Sequence, residues 1–239
     1  MSGDIRIGTS GFHYAHWKGD FYPADLPERD WFGWYARYFD TLEINNTFYR
    51  LPERAVFAQW HDQAPADFCY AVKFSRYGTH IKYLKSLEPI ERFMDRAAPL
   101  AELMGPVLVQ LPPHWQVTTE RLDCFMAALP RTCRWTFEFR HPSWLCDEVF
   151  ALLEKHHVAL CVHDMIDNHP RRLTTNWTYL RFHGTHYSGS YSSQYLTALA
   201  RRLRDYADDG VDAYVYFNND AEGHAVRNAQ ALKRYFANT

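Results

Sequence analysis

Long hydrophobic runs are missing from this sequence. Nowhere in its 239 residues does an apolar stretch approach the length that crosses a bilayer, and the opening MSGDIRIGTSG has neither a basic segment nor an apolar signal core. No membrane partner is expected, and a cytoplasmic location is. A dominant charge is missing too. Twenty-six basic residues face 28 acidic ones, a formal net charge of −2, so there is no global footprint for nucleic acid and any basic site has to be local. Cysteine is sparse: Cys69, Cys124, Cys133, Cys146 and Cys161 are odd in number and contain no C-x-x-C pair. That excludes a disulfide framework and predicts buried free thiols in a reducing compartment. No H-x-H, H-E-x-x-H, serine elbow or phosphate-binding G-x-x-x-x-G-K-[ST] loop occurs, and no Pro/Gly-rich linker splits the chain, which reads as one domain over 1–239.

What is abundant is aromatic residues, 17% of the chain, and a rhythm of short strands and helices. Strand patterns fall at 5–11, 41–48, 68–75, 106–113, 134–141, 158–164, 178–184 and 213–220. Helical stripes lie between most of them: Leu145, Val149, Leu152 and Leu153; Leu122, Phe125, Met126 and Leu129; Tyr195, Leu199, Leu203 and Tyr206, closed by Gly210; and Ala225, Val226, Ala229 and Leu232. Between strands six and seven (165–177) no helix is expected. Eight strands alternating with helices predict an α/β fold, a TIM-type (β/α)8 barrel with an irregular connection between strands 6 and 7.

An open doubly wound sheet is the rival, and strand parity separates the two. Central strands of an open parallel sheet are apolar on both faces. Here they alternate. In RWTFEFRHPSW (134–144), Trp135, Phe137 and Phe139 share one face while Thr136, Glu138 and Arg140 share the other. The same parity sets Glu43 and Asn45 against Leu42 and Ile44, Lys73 against Val72, Gln110 against Val109, Arg181 and His183 against Leu180, and Tyr216 and Asn218 against Val215. The apolar parity packs on helices, and the polar parity lines a closed lumen near the C-terminal strand ends, where barrel active sites sit.

Seven stretches, IGTSGFHYAHWKGDFYP (7–23), EINNTFYRLP (43–52), KFSRYGTH (73–80), QLPP (110–113), EFRHPSW (138–144), RFHG (181–184) and YVYFNND (214–220), resemble in order the YecE-like family known as DUF72. Phe12 and Asn46 depart from its pattern, where Trp and Ser are more usual. The resemblance implies a TIM-barrel-like fold and carries no established activity. A likeness of the family to endonuclease-IV-type barrels implies one alternative, a metal-assisted phosphodiesterase.

Arg6, Lys73, Arg140 and Arg181 are read as four inward cations against Glu43 and Glu138, a surplus that suits an anionic ligand. The function expected from these residues is a hydrolase or lyase acting on a phosphorylated or other anionic small molecule or nucleotide. Glu138, Glu43, His183 and Asp164 are the catalytic candidates. Lys73, Arg140 and Arg181 would hold the anion, and Asn45, Gln110, Tyr216, Asn218, Ser10, His13, Arg76 and His80 would complete the binding surface. The loop 184–193 after strand seven is a candidate phosphate cradle leading to a helix start near Ser192. No cofactor is expected; a divalent metal on Glu138, His163, Asp164 and His183 is the alternative. Two non-catalytic readings stand beside these: a structural ion-pair network filling the barrel, and a barrel that binds a nucleotide or nucleic acid.

Overall fold

The structure, a computed structural model, describes residues 2–184 and 189–237. Eight parallel strands form a single sheet in the order β1-β8-β7-β6-β5-β4-β3-β2. They are β1 (Ile5–Thr9), β2 (Thr41–Ile44), β3 (Cys69–Lys73), β4 (Met104–Gln110), β5 (Trp135–Glu138), β6 (Ala159–His163), β7 (Trp177–Phe182) and β8 (Asp212–Phe217). The helices are α1 (Trp31–Tyr35), α2 (Asn46–Tyr49), α3 (Arg54–Gln63), α4 (Glu88–Ala97), α5 (Thr119–Ala127), α6 (Asp147–His156), α7 (Ser193–Asp208) and α8 (His224–Lys233). No helix fills 164–176, the irregular connection the sequence predicts.

The two edge strands close the barrel through a narrow seam. Ser10 bridges to Glu43, and the Gly11 N–H donates to the Glu43 carbonyl at 2.9 Å. Gly8 permits this approach, because a Cβ there would stand 2.3 Å from the Thr41 carbonyl oxygen. The result is a nearly closed TIM-like barrel.

Local chemistry explains the helix boundaries. The Ser192 hydroxyl accepts from the Tyr195 N–H at 3.2 Å and caps α7. Past its other end Gly210 takes φ +75°, and the Val211 N–H returns to the Tyr206 carbonyl. In α6, Asp147 and Glu148 occupy the first turn and Lys155 and His156 the last, both favourable to the helix dipole.

The strands separate two interiors, as their alternation requires. Outside the barrel wall, Leu42, Val72, Val109, Phe137, Leu180, Val215 and Phe217 join the helices in one large apolar core. Inside it, Ala71, Leu108, Ala159, Cys161, Trp177, Tyr179 and Tyr216 form a smaller cluster of their own. The lumen is therefore packed through its middle, with polar groups above and below.

Three expectations need correction. The strand read over 41–48 stops at Ile44: the Thr47 hydroxyl donates to the Lys73 carbonyl at 2.7 Å, and residues 46–49 turn into α2. Arg6 is not at the mouth. It lies at the N-terminal end of the barrel, donating to Asp4 and to the Asp67 carbonyl, each at 2.8 Å. Cys124 is exposed, since the helical stripe that buries Leu122, Phe125 and Met126 turns it outward; Cys69 and Cys161 are buried, and all five thiols are free.

Candidate functional site

The C-terminal ends of the strands carry a polar layer built around one arginine. Arg181, on β7 and 1% exposed, donates through Nε to Glu43 Oε2 at 2.9 Å and through one terminal nitrogen to Glu43 Oε1 at 2.8 Å. Its other terminal nitrogen reaches Glu138 Oε2 at 2.6 Å. The Tyr179 hydroxyl donates to Glu43 at 2.7 Å, and the Ser10 hydroxyl, itself bonded by the Asn45 amide, donates to the same carboxylate. Gln110 and Arg140 donate to Glu138 Oε1 at 2.6 and 2.8 Å.

Both carboxylates are fully enclosed. Burial alone would raise their pKa values, but the charge of Arg181 and these hydrogen bonds reverse the shift, so Glu43 lies below the ordinary carboxylate range and Glu138 well below it. Each side chain is anionic, with its lone pairs already taken. The acid/base role the sequence suggests for Glu43 and Glu138 does not suit groups so engaged.

A second pair lies beside Arg181. His183 Nδ1 lies 3.0 Å from Asp164 Oδ1, and the His183 backbone N–H donates to the same carboxylate at 2.9 Å. The Tyr191 hydroxyl donates to Asp164 as well. Burial pushes the Asp164 carboxyl up, but the bonds from His183 and Tyr191 hold it below its usual value. An anionic Asp164 orients Nδ1 as a donor toward it, and Nε2 lies 3.4 Å from an Arg181 nitrogen.

The β3 side is different. Lys73 is 8% exposed, yet among the described residues Nζ has no hydrogen bond and no carboxylate within 4 Å; it rests 4.3 Å from the centre of the Phe48 ring. Burial, then the neighbouring charge of Arg181, lowers its pKa to about 8. Phe48 meets His80 edge-on at 5.0 Å. Burial, followed by the charges of Lys73, Arg76, His114 and Arg140, pushes His80 down to about 4, so it is neutral at pH 7. Beyond Phe48 opens a groove of about 490 Å³ that also touches Tyr49, Arg50, Ser75, Tyr77 and Arg96.

The model described as "Protein of unknown function DUF72" matches residues 6–239. The chain belongs to the DUF72 family. It is 32% identical to the YecE protein of Escherichia coli over 112 residues, which is 46% of this chain and 41% of that relative, so the match spans less than half of its length. A DUF72 protein of Thermotoga maritima superimposes with a TM-score of 0.87 at 27% identity, covering 98% of this chain and 99% of the other. A DUF72 protein of Enterococcus faecalis gives 0.83 at 19% identity, over 97% and 94%, and shows the shared fold alone.

In this DUF72 barrel Ser10, Glu43, Asn45, Gln110, Glu138, Arg140 and Arg181 form one hydrogen-bonded set, while Lys73 stands beside it. Tyr216 does not reach the mouth. It is wholly buried one layer down, with its hydroxyl 2.6 Å from that of Thr41. His13 lies outward against Trp31, with its side chain 57% exposed. Asn218 sits at the end of β8 and is partly exposed. The expected phosphate cradle falls partly at 185–188, outside the described residues. With Arg6 removed and Asp164 present, the lumen holds as many anions as cations. The positive surplus expected from the sequence is therefore absent from this set.

The metal set does not assemble. His163 Nε2 lies 2.7 Å from the Phe139 carbonyl and Nδ1 accepts from the Met165 N–H at 3.1 Å, so neither nitrogen is free to ligate. Glu138 already accepts from Gln110, Arg140, Arg181 and the Cys161 thiol, and among the described residues no group of three His, Cys, Asp or Glu side chains is placed to share an ion. Sequence reading misses Tyr179, Phe48 and Tyr191. Tyr179 shares the inward parity and is discoverable on that ground.

Proposed function

We propose that the mouth of this barrel is an enzyme site, of hydrolase or lyase type, for a small molecule carrying a phosphate or carboxylate group. The observation that carries the reading is Lys73: a buried amine with no carboxylate within 4 Å among the described residues, and with Arg181 and Arg140 among the charges that act on it. Burying an uncompensated charge is costly, and an anionic ligand group supplies the partner the fold withholds. Arg140 keeps donor nitrogens beyond the one on Glu138 and suits a phosphate or carboxylate edge.

His183 is placed for proton transfer. Asp164 fixes its orientation, and Nε2 receives a proton from, or returns one to, a ligand held above Arg181. Arg181 with its two carboxylates is the rigid floor beneath that ligand.

Calorimetric titration with inorganic phosphate and with small phosphorylated acids tests this reading. Saturable binding that weakens in Lys73→Met and Arg140→Gln supports it, and binding unchanged in both variants removes it. A panel of phosphatase, esterase and lyase substrates then tests catalysis, with Asp164→Asn expected to lose rate more than affinity. A nucleic-acid ligand is the second reading, favoured by Tyr49, 78% exposed beside Arg50. It requires binding to single-stranded oligonucleotides that falls steeply with salt.

A further inference from the structure

Lysine ammonium groups inside proteins ordinarily have a carboxylate beside them, and this barrel has three within its mouth. None is within 4 Å of Lys73 among the described residues. Glu43 is taken by Arg181, Ser10 and Tyr179, Glu138 by Arg181, Arg140 and Gln110, and Asp164 by His183 and Tyr191. The lysine instead has an aromatic face at 4.3 Å, and it feels Arg181 and Arg140 as well as the two glutamates, with burial the largest influence and its pKa lowered on balance. Phe48 is held there because Thr47 is tied to the Lys73 carbonyl, so α2 and β3 fix the amine and its ring together. A desolvated lysine next to other cations is how proteins make an amine nucleophilic near neutral pH.

We propose that Lys73 is an imine-forming nucleophile, and that the ligand of the mouth is an anionic aldehyde or ketone whose phosphate or carboxylate lies toward Arg140 and Arg76. This rests on the reading of the mouth as an anion site and adds the reacting group.

The steps balance without an oxidant or reductant. The neutral Nζ attacks the carbonyl carbon; the C–N bond forms and the carbonyl π pair moves to oxygen, which takes a proton and gives a carbinolamine. Nitrogen gives up a proton, the C–O bond breaks, and the oxygen leaves as water after taking a second proton. The nitrogen lone pair forms the C=N bond as water departs, which gives the iminium directly. His183, oriented by Asp164 in the same polar layer, is assigned the role of passing these protons. The same burial that lowers Lys73 to about 8 leaves roughly a tenth of it as free amine at pH 7.

The test uses two probes that differ only in a phosphate, pyridoxal 5′-phosphate and pyridoxal, followed by borohydride reduction and peptide mapping of the intact protein. The expected result is labelling of Lys73 ahead of Lys18, Lys82, Lys85, Lys155 and Lys233, at least tenfold more with the phosphorylated probe and suppressed by inorganic phosphate. Its rate should rise through pH 8, not pH 10, and Lys73→Arg should abolish it with the circular dichroism spectrum unchanged. Phosphate binding with no preferential label at Lys73 overturns the imine and leaves the anion site standing. Preferential labelling of Lys73 by both probes alike, untouched by phosphate, overturns the anionic substrate and leaves the nucleophile. Mapping on the wild-type chain decides the matter even if Lys73→Arg fails to fold.

Discussion

Two buried cations stand in one polar layer and are treated in opposite ways. Arg181 is surrounded: two carboxylates accept from it, and those carboxylates are further tied to Ser10, Tyr179, Gln110 and Arg140. Lys73 is buried against a phenyl ring, with no carboxylate within 4 Å among the described residues. The first arrangement resembles a structural element, in which every donor and acceptor is met inside the chain. The second leaves a demand unmet, which is what a binding site requires. Charge in a barrel lumen thus has no single meaning, and pairing is what separates support from recognition.

The contrast can be broken most forcefully at Arg181. Arg181→Met leaves Glu43 and Glu138 buried without their counter-charge and should cost about 3–5 kcal/mol in urea denaturation. A loss below about 1 kcal/mol would mean that the network is not what holds the barrel top.

Lys73→Met should act with the opposite sign, raising stability by on the order of 2 kcal/mol at pH 7 while abolishing phosphate binding. The pH dependence sharpens this. Because the folded pKa of Lys73 is depressed to about 8, its penalty is fully present below pH 8 and fades as pH rises toward the unfolded value of about 10.5. The stability gap between Lys73→Met and wild type should therefore close over that window, and phosphate affinity should fall as the ammonium is lost. Glu43 and Glu138 behave inversely: their depressed values give stability that is present above the unfolded carboxylate range and lost as pH falls through the folded values.

A smaller effect is expected from Tyr179→Phe, which removes one hydrogen bond to Glu43 and should cost about 1–2 kcal/mol with phosphate affinity unchanged. Smallest is Arg76→Ala. Arg76 is exposed at the rim, so titration should show phosphate affinity weakened by about twofold to fivefold at low salt, with no change in Tm.

Much of this arrangement is legible in the amino-acid sequence. Alternation in strands such as TFEFR names the inward residues, because period two is a property of the extended backbone alone. Depth is not legible. Arg6, Tyr216 and Glu43 share an inward parity, yet they lie at the bottom, in the middle layer and at the mouth, since strand stagger sets height and leaves no local mark. Pairing is hidden for the same reason: whether a glutamate is open or saturated depends on strands far away in sequence. Phe48 escapes notice because its apolar alternation continues that of β2, while the turn into α2 is imposed by the Thr47 bond to Lys73. Tyr191 lies in a Gly/Ser-rich stretch that gives no sign of its contact with Asp164.

The seam between β1 and β2 has a consequence in time. β1 pairs along its length with β8, some two hundred residues later, and meets β2 mainly through Ser10 and Gly11. Until β8 is in place the first strand has no full ladder to join, and contacts of such sequence separation form slowly. The hydroxyl that completes the Glu43 cluster therefore arrives with the last step of closure. A nascent chain can carry a nearly finished wall and still have no finished mouth.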